Sequence, residues 1–215
     1  MLKKASFCCK NYNVFNLIAP DYCHLCGQIG DALCKTCAKH LSKCCKNYNT
    51  FTTTLPKTIS LSDKTKNPEL FALLKVYKYH GTTSLTLPLA QIVAEVLPNA
   101  QNIIIIPSPT APKHIRQRGL AHTELLVKTI TKIKGWHCQN LILRTTNTQQ
   151  VGADSQTRQS QSEKAYKLNP KLKISPTAHY LIFDDISTTG STLRACKKLL
   201  KSGGAKNIST VTILN

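Results

Sequence analysis

Asp184 and Asp185 stand at the end of a four-residue apolar run, Tyr180 to Phe183, and six small residues around Gly190 follow them. A helical pattern, LRACKKLLKSGG, comes next. A polar, Gly-containing loop that enters a helix N-terminus is an anion site, because its N–H groups converge and the helix dipole favours negative charge. Ser187, Thr188, Thr189, Ser191 and Thr192 add hydroxyl donors, and Gly190 permits a positive φ or a close backbone approach. Phosphate is the natural guest. Two carboxylates beside it would repel it unless something lay between. A sugar with vicinal hydroxyls and a phosphate at one end satisfies both halves: the acids accept from the hydroxyls and the loop holds the phosphate. The plainer reading is a strand–turn–helix with an incidental acidic pair, which leaves two adjacent acids without a packing role.

A second constellation lies near the start of the chain. Cys23 and Cys26 form one C-x-x-C, and Cys34 and Cys37 form another after seven intervening residues. Two such knuckles supply four sulfurs for tetrahedral zinc. Free thiols or a redox pair are the alternatives, but one redox pair needs no second. His24, His40, Cys44 and Cys45 are substitute ligands that do not improve on the four-cysteine set, and Cys8 and Cys9 have no partner pattern. The set is closed, hence structural, and a module of some 25 residues needs the metal to hold it together. A third group is basic. Lys113, Arg116 and Arg118 lie between an apolar strand and a helix. Guanidinium forks bind phosphate in pairs of hydrogen bonds, so this segment is a candidate pyrophosphate clamp. Lys75 and Lys78 are further candidates for an anion contact, or solvated lysines.

The elements that must position these groups are legible in outline. Residues 46–66 read as a linker with extended pieces. Pro68 opens a helix with Leu70, Leu73, Leu74 and Tyr77 on one face, and KYHG closes it. A second helix runs from about Leu85 to Leu97, before Pro98. NIIIIPSP is a buried strand; a proline-containing loop, TAPKHIRQRG, follows it, then a helix with Leu120, Leu125, Leu126, Ile130 and Ile133 inward. Residues 138–143 read as a third strand. Residues 144–164 are almost without apolar side chains and read as a mobile hood, with Gln150 and Arg158 as its working residues and Tyr166 and Leu168 anchoring its return. The last strand is Asn207 to Leu214, after Gly203 and Gly204. Strands alternating with helices predict an α/β domain, a mostly parallel sheet flanked by helices, with ligands at the strand C-termini. The expected division is a zinc-ribbon module at 1–50, a linker at 51–66 and the α/β domain at 67–215.

Composition bounds the partners. The 215 residues carry 29 basic against 10 acidic side chains, a formal charge of +19, which points to anionic partners such as nucleic acid or phosphorylated ligands. The charge is spread along the chain and marks no single face. Eight of the ten cysteines precede residue 46. Lys10, Asn11, Asn13 and Asn16 interrupt any secretory apolar region, and the longest aliphatic run is Ile103 to Ile106. The expectation is a cytoplasmic protein with reduced thiols and no membrane insertion.

The string YLIFDDISTTGST resembles the 5-phosphoribosyl diphosphate (PRPP) signature of type I phosphoribosyltransferases: four apolar residues, two acids, then a Thr/Gly-rich loop. The order of the double C-x-x-C, KYHG, IPSPTAPKHIRQRG, the Gln-rich insertion with Arg158, and FDDISTTGST resembles the ComF family of phosphoribosyltransferase-like proteins, linked to DNA uptake in natural competence. The resemblance implies a type I phosphoribosyltransferase fold, a zinc ribbon and a PRPP-like site. It departs from the family at Leu120, Ala121 and His122, where phenylalanine, asparagine and glutamine are usual, and at Gln161, where asparagine is usual.

Three functions remain open on these readings. One is a factor in DNA uptake that binds PRPP or a nucleotide-like phosphate and works with a helicase-like or other competence protein, single-stranded DNA being a further partner. Another is a transferase moving ribose 5-phosphate to an amine or base, with Mg²⁺ and arginines stabilising the departing pyrophosphate and Asp184 and Asp185 holding the ribose. The third is a basic nucleic-acid-binding protein on a retired enzyme fold.

Overall fold

The computed structural model describes residues 21–46, 55–145 and 165–215. The lead-in with Cys8 and Cys9, and the hood residues Gln150, Arg158 and Gln161, lie outside the described residues. In chain order the elements are α1 (Lys35–Lys43), β1 (Thr58–Ser62), α2 (Pro68–Tyr79), a 3₁₀ turn (Thr83–Leu85), α3 (Thr86–Val96), β2 (Ile103–Pro107) and α4 (Pro112–Arg118). They continue with α5 (His122–Lys134), β3 (His137–Cys138), β4 (Ile142–Arg144), β5 (Tyr166–Leu168), β6 (His179–Ile186), α6 (Ser191–Ser202) and β7 (Asn207–Leu214).

Five strands form one parallel sheet in the order β1-β7-β6-β2-β3, while β4 and β5 pair antiparallel in a separate two-stranded unit. Apolar strands covered on both faces suit a parallel sheet, and alternation sorts their side chains. Ile103, Ile105, Leu181 and Phe183 join the core under α2, α3 and α5. Ile106, Tyr180 and Ile182 join the opposite core, built with Leu193, Cys196 and Leu200 of α6 and with Leu141, Ile142 and Tyr166 of the hairpin. The N-terminal module packs on the first core through Cys23, Leu33, Leu41 and Cys45.

From β2 the chain passes to β3 on one side, whereas from β6 it passes to β7 on the other. The C-terminal ends of β2 and β6 are therefore the switch point at which an open α/β sheet leaves a crevice. The register sets Pro107 opposite Phe183, and the Ser108 N–H donates to the Phe183 carbonyl at 2.7 Å. Ser108 and the acids that follow Phe183 are brought together by this pairing.

Four expectations need correction. The sequence reads as a loop after β2, but Pro112–Arg118 is a helix, with proline in its first turn and Gly119 left-handed at φ 71° after its last. It buries no residue, so it has no apolar stripe to betray it. The strand expected at 138–143 is two pieces: β3 on the sheet edge and β4 in the hairpin. β6 does not end at Phe183 but continues through both acids to Ile186. Ile133, expected inward, is 45% exposed. The stretch that reads as linker contributes its extended piece as β1, which pairs with β7 at the sheet edge.

Candidate functional site

Because β6 runs on through Asp184 and Asp185, its alternation points the two acids' contacts to opposite faces. Asp185 follows Leu181 and Phe183 to the α2/α5 side. It is 1% exposed. Its Oδ1 accepts from Lys78 Nζ at 2.7 Å and from the Ile186 N–H at 2.8 Å, and its Oδ2 accepts from the Thr123 hydroxyl at 3.4 Å. Lys78, a candidate anion contact by sequence, is thus ion-paired with Asp185, its own side chain 17% exposed. A buried pair of this kind survives only with such additional hydrogen bonds.

Asp184 is on the side of Tyr180 and Ile182, half-buried. Its Oδ1 accepts from the Ser108 hydroxyl at 2.8 Å and from the Asp185 N–H at 3.1 Å. Burial, then the charge of Asp185, push its carboxyl up to about 7, while the Ser108 hydroxyl and Lys78 oppose the shift. Asp184 is poised to exchange a proton or a charge partner near neutrality, whereas Asp185 already has its partner.

The loop after β6 leads into α6 with Gly190 at φ 67° as the cap residue, and no side chain caps the helix. A Cβ on Gly190 would fall 3.2 Å from Arg194 Nη1. Thr188 and Thr189 are exposed, while Ser187, Gly190, Ser191 and Thr192 are half-buried. The Thr189 hydroxyl donates to Ser191 Oγ at 3.1 Å, and Thr192 Oγ1 lies 3.3 Å from Tyr166 Oη of β5. The Ser187 N–H is taken by the Leu214 carbonyl at 2.9 Å, so this amide extends the β6–β7 pairing by one bond. The N–H groups that face an incoming anion are those of the first turn of α6.

The basic residues on α4 divide. Lys113 and Arg116 are exposed. Arg118 lies over the ring of Tyr79, 4.6 Å from its centroid, and joins the end of α2 to the α4–α5 junction. Behind this junction His122 is buried, its ring edge-on to Tyr77 at 5.0 Å. The Tyr77 hydroxyl donates to the His122 carbonyl at 3.1 Å, and neither ring nitrogen of His122 has a hydrogen-bond partner among the described residues. Burial, then the Arg118 charge, lower its pKa and keep the imidazole neutral.

The sequence motifs assign no role to Ser108, Thr123 or Arg194. Ser108 carries a signal, being a polar residue directly after a buried strand at an α/β switch point. Thr123 carries none, because its role depends on α5 facing Asp185, and Arg194, whose Nη1 lies 3.2 Å from where a Cβ on Gly190 would fall, carries none either.

The cysteines converge as their spacing predicts. The ligand atoms of Cys23, Cys26, Cys34 and Cys37 all lie within 4.8 Å of one another, and Cys26 Sγ is 3.7 Å from Cys34 Sγ. Zinc–sulfur bonds of about 2.3 Å in a tetrahedron require sulfur separations of about 3.8 Å. The set therefore fits zinc. Gly27 turns the first knuckle at φ 74°, its N–H donating to the Cys23 carbonyl at 2.8 Å. Cys34 caps α1, its sulfur accepting from the Cys37 N–H at 3.5 Å. Burial pushes up the nearby Cys45 thiol, to about 11, which suits a core thiol rather than a ligand.

Comparison with known proteins follows the same geometry. The phosphoribosyl transferase domain matches residues 125–215, from within α5 through β6, the loop and β7. A match to competence protein ComFC of Streptococcus pneumoniae is 25% identical over 150 residues, covering 70% of this chain and 65% of that protein. The chain is similar to that competence protein over this stretch. Among solved structures, a hypoxanthine phosphoribosyltransferase from Staphylococcus aureus matches with a TM-score of 0.37 and 14% identity, over 63% of each chain. The parallel sheet with its switch point, the matched domain and the four-cysteine cluster together give this chain a phosphoribosyltransferase-like fold with an N-terminal zinc-ribbon-like module. No helix among the described residues is long and apolar enough to cross a membrane.

Proposed function

We propose that the chain binds PRPP, or a related sugar phosphate, at the C-terminal ends of β2 and β6, and that this binding serves competence, as the name of its relative suggests, at the step of DNA uptake. The observation that carries the reading is the unequal acid pair. Asp185 is neutralised by Lys78, which leaves Asp184 as the one acid half-exposed beside the uncapped start of α6. A phosphate on the first turn of α6 and sugar hydroxyls toward Asp184 use both. Magnesium would arrive with the diphosphate, since it prefers phosphate oxygens plus one or two carboxylates, and Asp184 is the carboxylate free to meet it. Arg116 and Arg118 would meet the diphosphate end, and Arg158 is proposed to act from the hood. Zinc is proposed as the metal of the cysteine cluster.

The test is calorimetry with PRPP and Mg²⁺ on the wild type and Asp184→Asn. Binding by the wild type that the variant loses, at unchanged fold, supports the reading. Equal binding by both would overturn the role of Asp184. Turnover to pyrophosphate with an added amine or base would favour a transferase.

A second reading, nucleic-acid binding, draws on a separate observation. Tyr79 is 65% exposed with Arg118 stacked on it, in a chain of formal charge +19. An exposed ring beside a guanidinium is the kind of platform on which single-stranded bases stack.

A further inference from the structure

His122 opens α5 and has no task in the site described above. It is 3% exposed, and neither nitrogen of its ring has a hydrogen-bond partner among the described residues. A neutral imidazole carries one donor and one acceptor, and buried polar atoms are nearly always paired. Leaving both open costs free energy that an apolar side chain of similar size would not. The ring is therefore not explained by packing.

Its surroundings are set by the last turn of α2. Successive helix residues point about 100° apart, so three consecutive side chains reach three different elements. Tyr77 meets the His122 ring edge-on at 5.0 Å and donates its hydroxyl to the His122 carbonyl at 3.1 Å. Lys78 pairs with Asp185 of β6 at 2.7 Å. Tyr79 carries the Arg118 guanidinium of α4 at 4.6 Å. One turn thus holds the imidazole, a buried ion pair and a cation in fixed relation. On α5 itself, Thr123 reaches Asp185 at 3.4 Å and Glu124 is taken by Lys128 at 2.8 Å. Burial keeps the Tyr77 phenol neutral. Burial, then the Arg118 charge, keep the imidazole unprotonated, and Lys78 adds to them; the Leu120 carbonyl and Asp185 favour the proton. Asp185 and Lys78 neutralise each other. Arg118 lies on a ring and on no acid among the described residues, so its charge is the one an incoming anion would cancel.

We infer that His122 is a proton-linked part of the anion site at Arg118: a diphosphate that settles on Arg118 lets the buried imidazole take a proton from solvent, and acidification in turn tightens the anion. The inference rests on the sugar-phosphate reading for the anion's place. The sign follows from reciprocity. The bound chain holds the proton more firmly than the free chain, so affinity rises as pH falls through the bound-state value of His122 and levels off below the free-state value.

The experiment follows the ring directly by proton NMR of the full chain. His122 is one of seven histidines, and its signal is the one that His122→Gln removes. Its titration is recorded free and with saturating inorganic diphosphate. The free midpoint should lie below the ordinary histidine value of about 6.5, and the anion should raise the ring's proton affinity about fivefold or more. Calorimetry supplies the reciprocal reading. Between pH of about 7.5 and about 5.5, the wild type should gain about fivefold or more in diphosphate affinity relative to His122→Gln, a ratio in which the titration of diphosphate itself cancels. Should His122→Gln fail to fold, the ring is assigned through its backbone and Arg118→Gln carries the test: the midpoint should rise with no ligand present. Absence of saturable diphosphate binding, a midpoint that neither diphosphate nor Arg118→Gln moves, or a ratio equal at both pH values would overturn the inference. A ratio that favours the alkaline end would overturn it too, since protonation would then drive Arg118 off the anion. PRPP and Mg²⁺ that bind without moving the midpoint remove the proton linkage and keep the sugar-phosphate reading. Diphosphate that moves the midpoint in a chain that does not bind PRPP keeps the linkage and removes that reading.

Discussion

Adjacent acids on one strand are chemically alike and structurally opposite here. Asp185→Asn deprives Lys78 of its carboxylate in a place where the lysine side chain is only 17% exposed. Removing one partner of a buried pair costs about 3 kcal/mol or more, so chemical denaturation should show a clear fall in stability. Restoring an apolar pair with Lys78→Met and Asp185→Leu should recover much of it; a wild-type midpoint for Asp185→Asn would mean the pair is solvated. Asp184 behaves in the other sense. Its folded pKa is raised to about 7 from 3.8, so the folded chain holds a proton that the unfolded chain has released. That contribution is complete below pH 3.8 and is lost as pH rises through 7. Asp184→Asn should therefore be more stable than the wild type by about 1–3 kcal/mol at pH 8, since each tenfold change in proton affinity is worth about 1.4 kcal/mol. The gap should narrow toward pH 5, read from urea midpoints at the two values. A constant gap would locate the effect elsewhere. The acids themselves are legible in the sequence; their division is not, because the apolar run that marks the strand stops at Phe183. Once β6 includes them, alternation separates their contacts, and only tertiary structure supplies Lys78 and Ser108.

At the level of elements, legibility depends on how much of each element's pattern is apolar. β2 and the start of β6 are continuous buried runs and stand out. α4 buries nothing, so only its proline and its closing glycine mark it, and both are equally at home in a loop. β3 and β4 run together in sequence because the residues between them lack a strong breaker, while the fold sends them to different sheets. The cysteine module is legible from spacing alone, since metal geometry is local. Its attachment is not: Leu41 and Cys45 enter the main core, and the Lys46 N–H donates to the Leu61 carbonyl of β1 at 2.7 Å. Removing the metal should therefore disturb more than the module. Cys34→Ser should take bound zinc from one per chain to well below it by elemental analysis. It should also lower the melting temperature of the whole chain, because α1 packs beside α3. Full zinc in that variant would exclude the four-cysteine set. Arg116→Ala with Arg118→Ala tests the other end of the site. PRPP affinity should fall about tenfold or more, with little change in melting, since one residue is exposed and the other gives up only a surface stack worth about 0.5–1 kcal/mol.

The whole molecule carries its charge without concentrating it in any one sequence block, and the fold selects where that charge becomes useful. α2 ends with Tyr79 at the surface, and α4 ends with Arg118 lying across it. The acid pair is reached from the strand ends, while Tyr79 is open to solvent. If single-stranded DNA binds, each function can be removed without the other. Anisotropy with a labelled oligothymidine should show log K falling linearly with log salt, at about 0.7 per phosphate contacted on a single strand. Tyr79→Ala should cost about 1–3 kcal/mol through lost base stacking and leave the slope unchanged. Arg118→Ala should weaken binding and make the slope shallower by about 0.7 if its guanidinium meets a phosphate. Asp184→Asn should leave DNA affinity intact while removing PRPP. Loss of DNA binding in Asp184→Asn at unchanged fold would join the two ligands at one site and make the nucleic acid a competitor of the sugar phosphate. An oligonucleotide that binds equally at low and high salt would deny that the charge of +19 does any of the binding.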